Sequence, residues 1–220
     1  MNIRLYNTLS QKVEDLVPLT PGEVRLYVCG ITPYDFAHAG HGRTYTTADV
    51  LVRFLRARGL KVRYCRNVTD FNDNILARAK DKGEDPVAFA KRMWDVADEH
   101  LKQIGCAQPD DEPYVSTHIA EIIAMIEELV AKKHAYVTKG PRGQDVYFDV
   151  RSFPPYGKLS RRNIDDLLSG ARVEVGETKK DSLDFALWKG CGDDEFGWPS
   201  PWGKGRPGWH IECSAMSQKY

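Results

Sequence analysis

The chain has 220 residues, 42% of them hydrophobic, which suits a folded globular protein built as one large domain or as a domain carrying an insertion. Its 31 basic and 31 acidic side chains balance, so no global excess of charge advertises a nucleic-acid partner, and a local patch is the most that charge allows. No apolar run approaches the roughly 18 residues that a membrane helix needs.

The segment Met1-Asn2-Ile3-Arg4-Leu5-Tyr6-Asn7 lacks the apolar core of a signal peptide, and the expectation is a cytoplasmic protein. Val24 to Val28 reads as a short buried strand ending at Cys29. A glycine-rich loop follows, Cys29-Gly30-Ile31-Thr32-Pro33-Tyr34-Asp35-Phe36-Ala37-His38-Ala39-Gly40-His41-Gly42. Thr44 to Arg58 then carries a helical pattern that Gly59 ends, which completes a strand, loop, helix unit. Val62 to Val68 reads as a second strand. Helical segments follow at Asn72 to Lys82 and at Pro86 to Ile104, the latter with Phe89, Met93, Val96 and Leu101 near helical spacing.

Strands alternating with helices predict an α/β fold with a parallel sheet. Ligands on such sheets bind at the carboxyl ends of the strands, where Cys29 and the histidine loop are expected to lie. Ala107 to Pro113 interrupts the pattern with turn formers and acids and suggests a boundary. Beyond it, Ile119, Ile122, Ile123, Ile126, Leu129 and Val130 form an apolar stripe on a helix from about His118 to Lys133, and Gln144 to Val150 alternates like a strand. This is a smaller α+β segment. From Trp198 a proline- and glycine-rich loop leads into Trp209-His210-Ile211-Glu212-Cys213-Ser214-Ala215-Met216, a candidate helix start.

Five cysteines at 29, 65, 106, 191 and 213 do not form a disulfide framework, which favours free thiols and metal ligation. Thiolate and imidazole are zinc ligands, while glycines before a helix N-terminus accept anions, so the loop from Cys29 to Gly42 suits nucleotide chemistry. The H-x-x-H spacing of His38 and His41 allows both rings to face one phosphate group. Taken alone, the spacing better suits a helix cap with the second ring exposed, and its place after a strand and before a helix is what favours the phosphate reading. Six basic residues (Arg53, Arg56, Arg58, Lys61, Arg63, Arg66) occur between Val50 and Thr69 with no acid among them. They form either a local positive face or a solvated helix face and strand rim.

The opening stretch resembles the HIGH signature of class I aminoacyl-tRNA synthetases, and with Cys29-Gly30-Ile31-Thr32 before it resembles the cysteinyl-tRNA synthetase family within that class. Further matches are Asn67-Val68-Thr69-Asp70, Tyr156-Gly157-Lys158-Leu159-Ser160-Arg161 and Gly205-Arg206-Pro207-Gly208-Trp209-His210-Ile211-Glu212-Cys213-Ser214-Ala215-Met216, so the resemblance spans nearly the whole chain. It implies a Rossmann-type catalytic domain over residues 1–108, a connecting insertion over 109–198 and a return to the catalytic domain over 199–220. It also implies ATP-dependent activation of L-cysteine, with Mg2+, and transfer from the adenylate to tRNA(Cys).

By the same resemblance, Cys29 and Cys213 are two ligands of a zinc ion that selects the substrate thiol, with a histidine and a glutamate further on completing the set. His38, Gly40 and His41 bind ATP, the two histidines acting in catalysis, and Gly30, Thr69 and Trp209 line the cysteine pocket. Three departures stand out. Ala39 replaces the usual isoleucine, and Phe71-Asn72-Asp73-Asn74 replaces one carboxylate and the lysine of the usual motif by amides. The chain also stops at Tyr220, before the remaining zinc ligands and the lysine-rich loop, so this stretch alone is expected not to aminoacylate. Two rivals remain open: a cysteine ligase acting on a small amino-sugar acceptor, and a non-catalytic paralogue that binds cysteine, zinc or RNA.

Overall fold

The computed structural model describes residues 3–161 and 178–220; residues 162–177, inside the expected insertion, lie outside the described residues. In chain order the first elements are β1 (Arg4–Asn7), β2 (Lys12–Asp15), β3 (Glu23–Val28), α1 (Ala39–Ala57), β4 (Lys61–Arg66), α2 (Asp73–Lys82) and α3 (Pro86–Gln103). They are followed by α4 (Ile119–Ala131), β5 (Ala135–Gly140), β6 (Gly143–Phe148), β7 (Phe185–Gly190), β8 (Gly205–Pro207) and α5 (Trp209–Lys219). The chain divides into two compact units, one of residues 18–119 with 212–220 and the other of residues 1–17 with 120–211.

The first unit is the expected α/β body. β3 and β4 pair in parallel from Glu23↔Lys61 to Val28↔Arg66, with α1 making the crossover. The segment 107–113 continues this sheet: the Arg66 amide donates to the Asp111 carbonyl at 3.0 Å, and Cys65 and Val68 form parallel bridges with Asp111 and Tyr114. Ile31, Tyr45, Val68, Trp94, Ala97, Leu101 and Cys106 form one apolar cluster, and Ile75, Ala79, Phe89, Ala90 and Met93 a second between α2 and α3.

One side chain in this core is a buried cation. Arg66 pairs with Glu112 at 2.6 Å and Asp98 at 3.1 Å while its guanidinium lies over the Trp94 and Tyr45 rings. A buried charge persists only when paired and hydrogen-bonded in this way.

Helix ends follow the chemistry of their caps. α1 starts at Ala39, five residues before the helical pattern predicts, because His38 and His41 close a capping box over a first turn that its glycines made resemble a loop. α2 is capped by the Asn72 side chain, which accepts from the Ile75 amide at 2.9 Å, and ends at Gly83 in the left-handed conformation. The amide that departs from the family motif therefore serves a structural purpose.

The run of basic residues is matched by acids from other parts of this unit. Arg53 pairs with Asp49, Arg56 with Asp110, Lys61 with Glu23 and Arg63 with Asp111, in addition to the two partners of Arg66. These pairs leave a charge-compensated surface in place of a bare positive face.

The second unit holds the β1–β2 hairpin and a four-stranded antiparallel sheet in the order β5-β6-β7-β8. Tyr147, Leu187 and Trp188 are buried in it, and the Phe148 and Phe185 rings stack at 5.2 Å. Tyr156 of the Y-G-K-L-S-R motif packs against both phenylalanines. The buried Asp184 carboxylate accepts from the Tyr136 hydroxyl at 2.7 Å and from the Val150 amide at 3.0 Å, which fastens β5 to the chain entering β7. Among the described residues, no helix is long and apolar enough to cross a membrane.

Candidate functional site

Two parallel strands of the first unit end side by side, and their following loops are stitched together. The Gly30 amide donates to the Asn67 side-chain oxygen at 2.7 Å, and the Thr69 amide donates to the Ile31 carbonyl at 3.2 Å. The approach requires glycine, because a Cβ at position 30 would lie 1.6 Å from the Asn67 carbonyl oxygen. α5 contributes Cys213 to the same place, where its Sγ lies 3.8 Å from Asn67 Oδ1.

Cys29 and Cys213 come together although they stand 184 positions apart. The neighbouring Cys213 thiol pulls the exposed Cys29 thiol down to about 6. The interaction with Cys29, then burial, pushes the Cys213 thiol up. All five cysteines are free thiols, and Cys65 is pushed up to about 11 by burial, so Cys29 alone acquires this thiolate character. Two adjoining sulfurs, one of them readily ionised, supply half of a tetrahedral soft-metal set. Among the described residues, no group of three His, Cys, Asp or Glu side chains is arranged to hold a metal ion.

The two histidines of the loop stand at the start of α1. His38 Nδ1 accepts from the Gly40 amide at 3.1 Å, His41 Nδ1 accepts from the His38 amide at 3.2 Å, and the rings stack at 3.9 Å. An accepting Nδ1 carries no proton, so each neutral ring bears its hydrogen on Nε2 as a donor. Burial, then the neighbouring His38, lowers the His41 pKa and favours that neutral form. The first turn contains no acidic residue, which leaves the positive helix end available to an anion.

Thr69 is buried beside Asn67, whose Nδ2 donates to its hydroxyl at 3.2 Å. Below it, Asp70 accepts from the Ser116 amide at 3.0 Å and from the Ser116 hydroxyl at 2.5 Å. Glu212, 2% exposed, has an Oε2 without a hydrogen-bond partner among the described residues, and burial followed by the Asp70 charge raises its pKa well above the carboxylate range. The first unit thus gathers Cys29, Gly30, Thr69 and Cys213 around Asn67 and carries His38, Gly40 and His41 on the loop and helix that follow β3.

Trp209 opens α5, is 65% exposed and belongs with its neighbour His210 to the other compact unit. Asn67 escaped prediction as a site residue. The available signal was a polar side chain directly after an apolar strand, opposite a glycine in the parallel neighbour.

Comparison with known proteins fits this geometry. A family described as tRNA synthetases class I (C) catalytic domain matches residues 15–220. The chain is 56% identical over 220 residues to a cysteine–tRNA ligase of Anaeromyxobacter sp. (strain K), covering 100% of this chain and 45% of that one. Against the cysteine–tRNA ligase of Desulfotalea psychrophila the identity is 51% over 220 residues, with 100% and 44% covered. The chain therefore spans a little under half the length of the curated relatives it matches. A solved structure of Mycobacterium tuberculosis methionyl-tRNA synthetase in complex with methionyl-adenylate superposes with a TM-score of 0.66 at 14% identity, over 89% of this chain and 46% of that one, a likeness of fold alone. With the match running from residue 15 to residue 220 and the fold shared, this chain belongs to the class I (C) tRNA synthetase catalytic domain family.

Proposed function

We propose that this chain forms part of the catalytic domain of a cytoplasmic cysteine–tRNA ligase, which activates L-cysteine with ATP and Mg2+ to cysteinyl-adenylate and transfers the cysteinyl group to tRNA(Cys). The observation that carries this reading is the return of Cys213 on α5 to the ends of β3 and β4, its Sγ 3.8 Å from the Asn67 oxygen that also holds the Gly30 amide next to Cys29, beside the strand end from which the His38–His41 loop departs.

Activation requires the cysteine carboxylate oxygen to attack the α-phosphorus of ATP. A new O–P bond forms as the bond to the leaving pyrophosphate breaks, and charge spreads over the phosphate oxygens. The Nε2–H groups of His38 and His41, with the backbone amides at the start of α1 around Gly40, are donors aimed at such oxygens. Their locked positions avoid reorganisation during the reaction. No covalent enzyme intermediate is involved. Gly30 admits the ligand close to the backbone, and Thr69 supplies a hydroxyl for the amino acid.

Cys29 and Cys213 would hold zinc with further ligands, and that ion would supply a bond to the substrate thiolate which the hydroxyl of serine makes far more weakly. The lowered Cys29 pKa supports this assignment, because a ligating thiol must be deprotonated.

The test is cysteine-dependent ATP–pyrophosphate exchange by the full-length protein, with serine as competitor and with tRNA or an amino sugar as acceptor. Exchange with cysteine, rejection of serine and transfer to tRNA are expected. Exchange driven by another amino acid, or transfer only to the sugar, overturns the assignment.

A further inference from the structure

We propose that Asn67 is a positioning residue that orients the Thr69 hydroxyl as a donor toward the bound amino acid and seats Cys213 against the end of β3. The inference deepens the proposed cysteine site and rests on that reading. Asn67 is wholly buried, and its amide meets three of the site's groups: Gly30, Cys213 and Thr69.

The orientation of the amide is dictated by its surroundings. The Gly30 backbone N–H has only a proton to offer, so the Asn67 atom 2.7 Å away must be the oxygen. The second lone pair of that oxygen faces Cys213 Sγ at 3.8 Å. With Oδ1 committed on that side, the nitrogen faces Thr69, and Nδ2 donates to Oγ1 at 3.2 Å. The Thr69 hydroxyl must therefore accept from Asn67, which frees its proton for another acceptor. The Thr69 backbone cannot rotate away, because its amide is held by the Ile31 carbonyl. An acceptor of the amino acid, its carboxylate or its thiolate, is what such a hydroxyl recognises.

Aspartate is the informative replacement. It retains the oxygen facing Gly30 and nearly the same shape, but it has no donor for Thr69. The hydroxyl would then donate to the carboxylate and turn its lone pairs to the substrate, reversing the recognition. In the full-length protein, Asn67→Asp is expected to raise KM for cysteine at least tenfold in pyrophosphate exchange, with KM for ATP within twofold of wild type. Thr69→Val is expected to raise KM for cysteine in the wild-type background and to add nothing in the Asn67→Asp background.

A purely structural role predicts equal effects on both substrates and an additive double variant, and either result overturns the proposal. If Asn67→Asp does not fold, Asn67→Ala, which only deletes atoms, is measured in its place with the same selective rise in KM for cysteine expected. An unchanged KM for cysteine, or failure of both variants to fold, assigns Asn67 to the fold alone. Absence of cysteine-dependent exchange in the wild-type protein sinks the functional reading and this proposal with it. Wild-type activity with unaffected variants sinks this proposal only.

Discussion

His38 and His41 stack with ring centroids 3.9 Å apart while each Nδ1 closes one half of a reciprocal capping box. In the proposed function one pair of imidazoles thereby serves the helix and the chemistry at once. Nδ1 accepts backbone hydrogen bonds of the first turn, and the same commitment leaves the ring proton of the neutral form on Nε2. The cap and the proposed phosphate-binding site share one arrangement, so their contributions separate only when a substitution removes one nitrogen and keeps the other.

Asparagine makes that separation at position 38. His38→Asn retains an oxygen that accepts from the Gly40 amide but has nothing in place of Nε2. Thermal unfolding should stay near wild type, whereas His38→Ala should cost about 0.5–2 kcal/mol through loss of the cap. Pyrophosphate exchange in the full-length protein should fall about 10²–10³-fold in both variants, the usual cost of removing one positioned donor. Full activity in His38→Asn would show that the ring acts only as a cap.

The thiol pair predicts an unusual pH profile. Cys29 is pulled down to about 6 by the neighbouring Cys213 thiol, against about 8.5 for an ordinary thiol. A depressed pKa contributes stability above the unfolded value and loses it as pH falls through about 6, while the raised Cys213 acts in the opposite sense. Alkylation therefore reports more cleanly than unfolding. In metal-free protein, the rate of Cys29 modification should reach half its maximum near pH 6, and Cys213→Ala should move that midpoint up toward the ordinary range. An unmoved midpoint in Cys213→Ala refutes the pairing.

Gly30→Ala should be among the most damaging single changes. The added Cβ would lie 1.6 Å from the Asn67 carbonyl oxygen, a backbone atom that no side-chain rotation moves. Overpacking of a core typically costs 1–3 kcal/mol, and a rigid backbone collision should reach about 3 or more. Chemical denaturation measures it, and a loss below about 1 kcal/mol contradicts the close approach.

Arg66→Met should deprive Glu112 and Asp98 of their shared guanidinium beside an apolar core. Truncating one partner of a buried ion pair costs about 3–5 kcal/mol, which denaturant titration at pH 7 would detect. Burial alone would raise the Asp98 carboxyl, but hydrogen bonds from Lys102 and Gln108 and the charge of Arg66 hold it below its usual range. That depressed pKa stabilises the fold above the unfolded value of about 3.9 and stops doing so as pH falls below it. Wild-type stability should therefore drop below about pH 4, and part of that slope should vanish in Arg66→Met.

Much of the architecture was legible along the chain because it follows from local chemistry. The pattern of Val24 to Val28, the break at Gly59 and the start of α3 at Pro86 are short-range signals that the folded chain reproduces within a few residues. Other features stayed hidden for the same reason. The short strands β1, β2 and β8 are three or four residues long, too brief for alternation to register, and the early start of α1 depended on two histidine caps instead of on helix formers.

Residue identity alone determined the chemistry on offer: soft thiols, imidazoles three apart, and glycines ahead of a helix. The meeting of Cys29 with Cys213, and of Asn67 with Gly30, Thr69 and Cys213, was decided by the folded chain. Those encounters depend on the parallel register of β3 with β4 and on the return of α5 after a long excursion through the other unit. Periodicity describes which face a residue occupies on its own element. It carries no information about which distant element packs there, and hydrogen bonds a few ångströms long form only after that packing has been set.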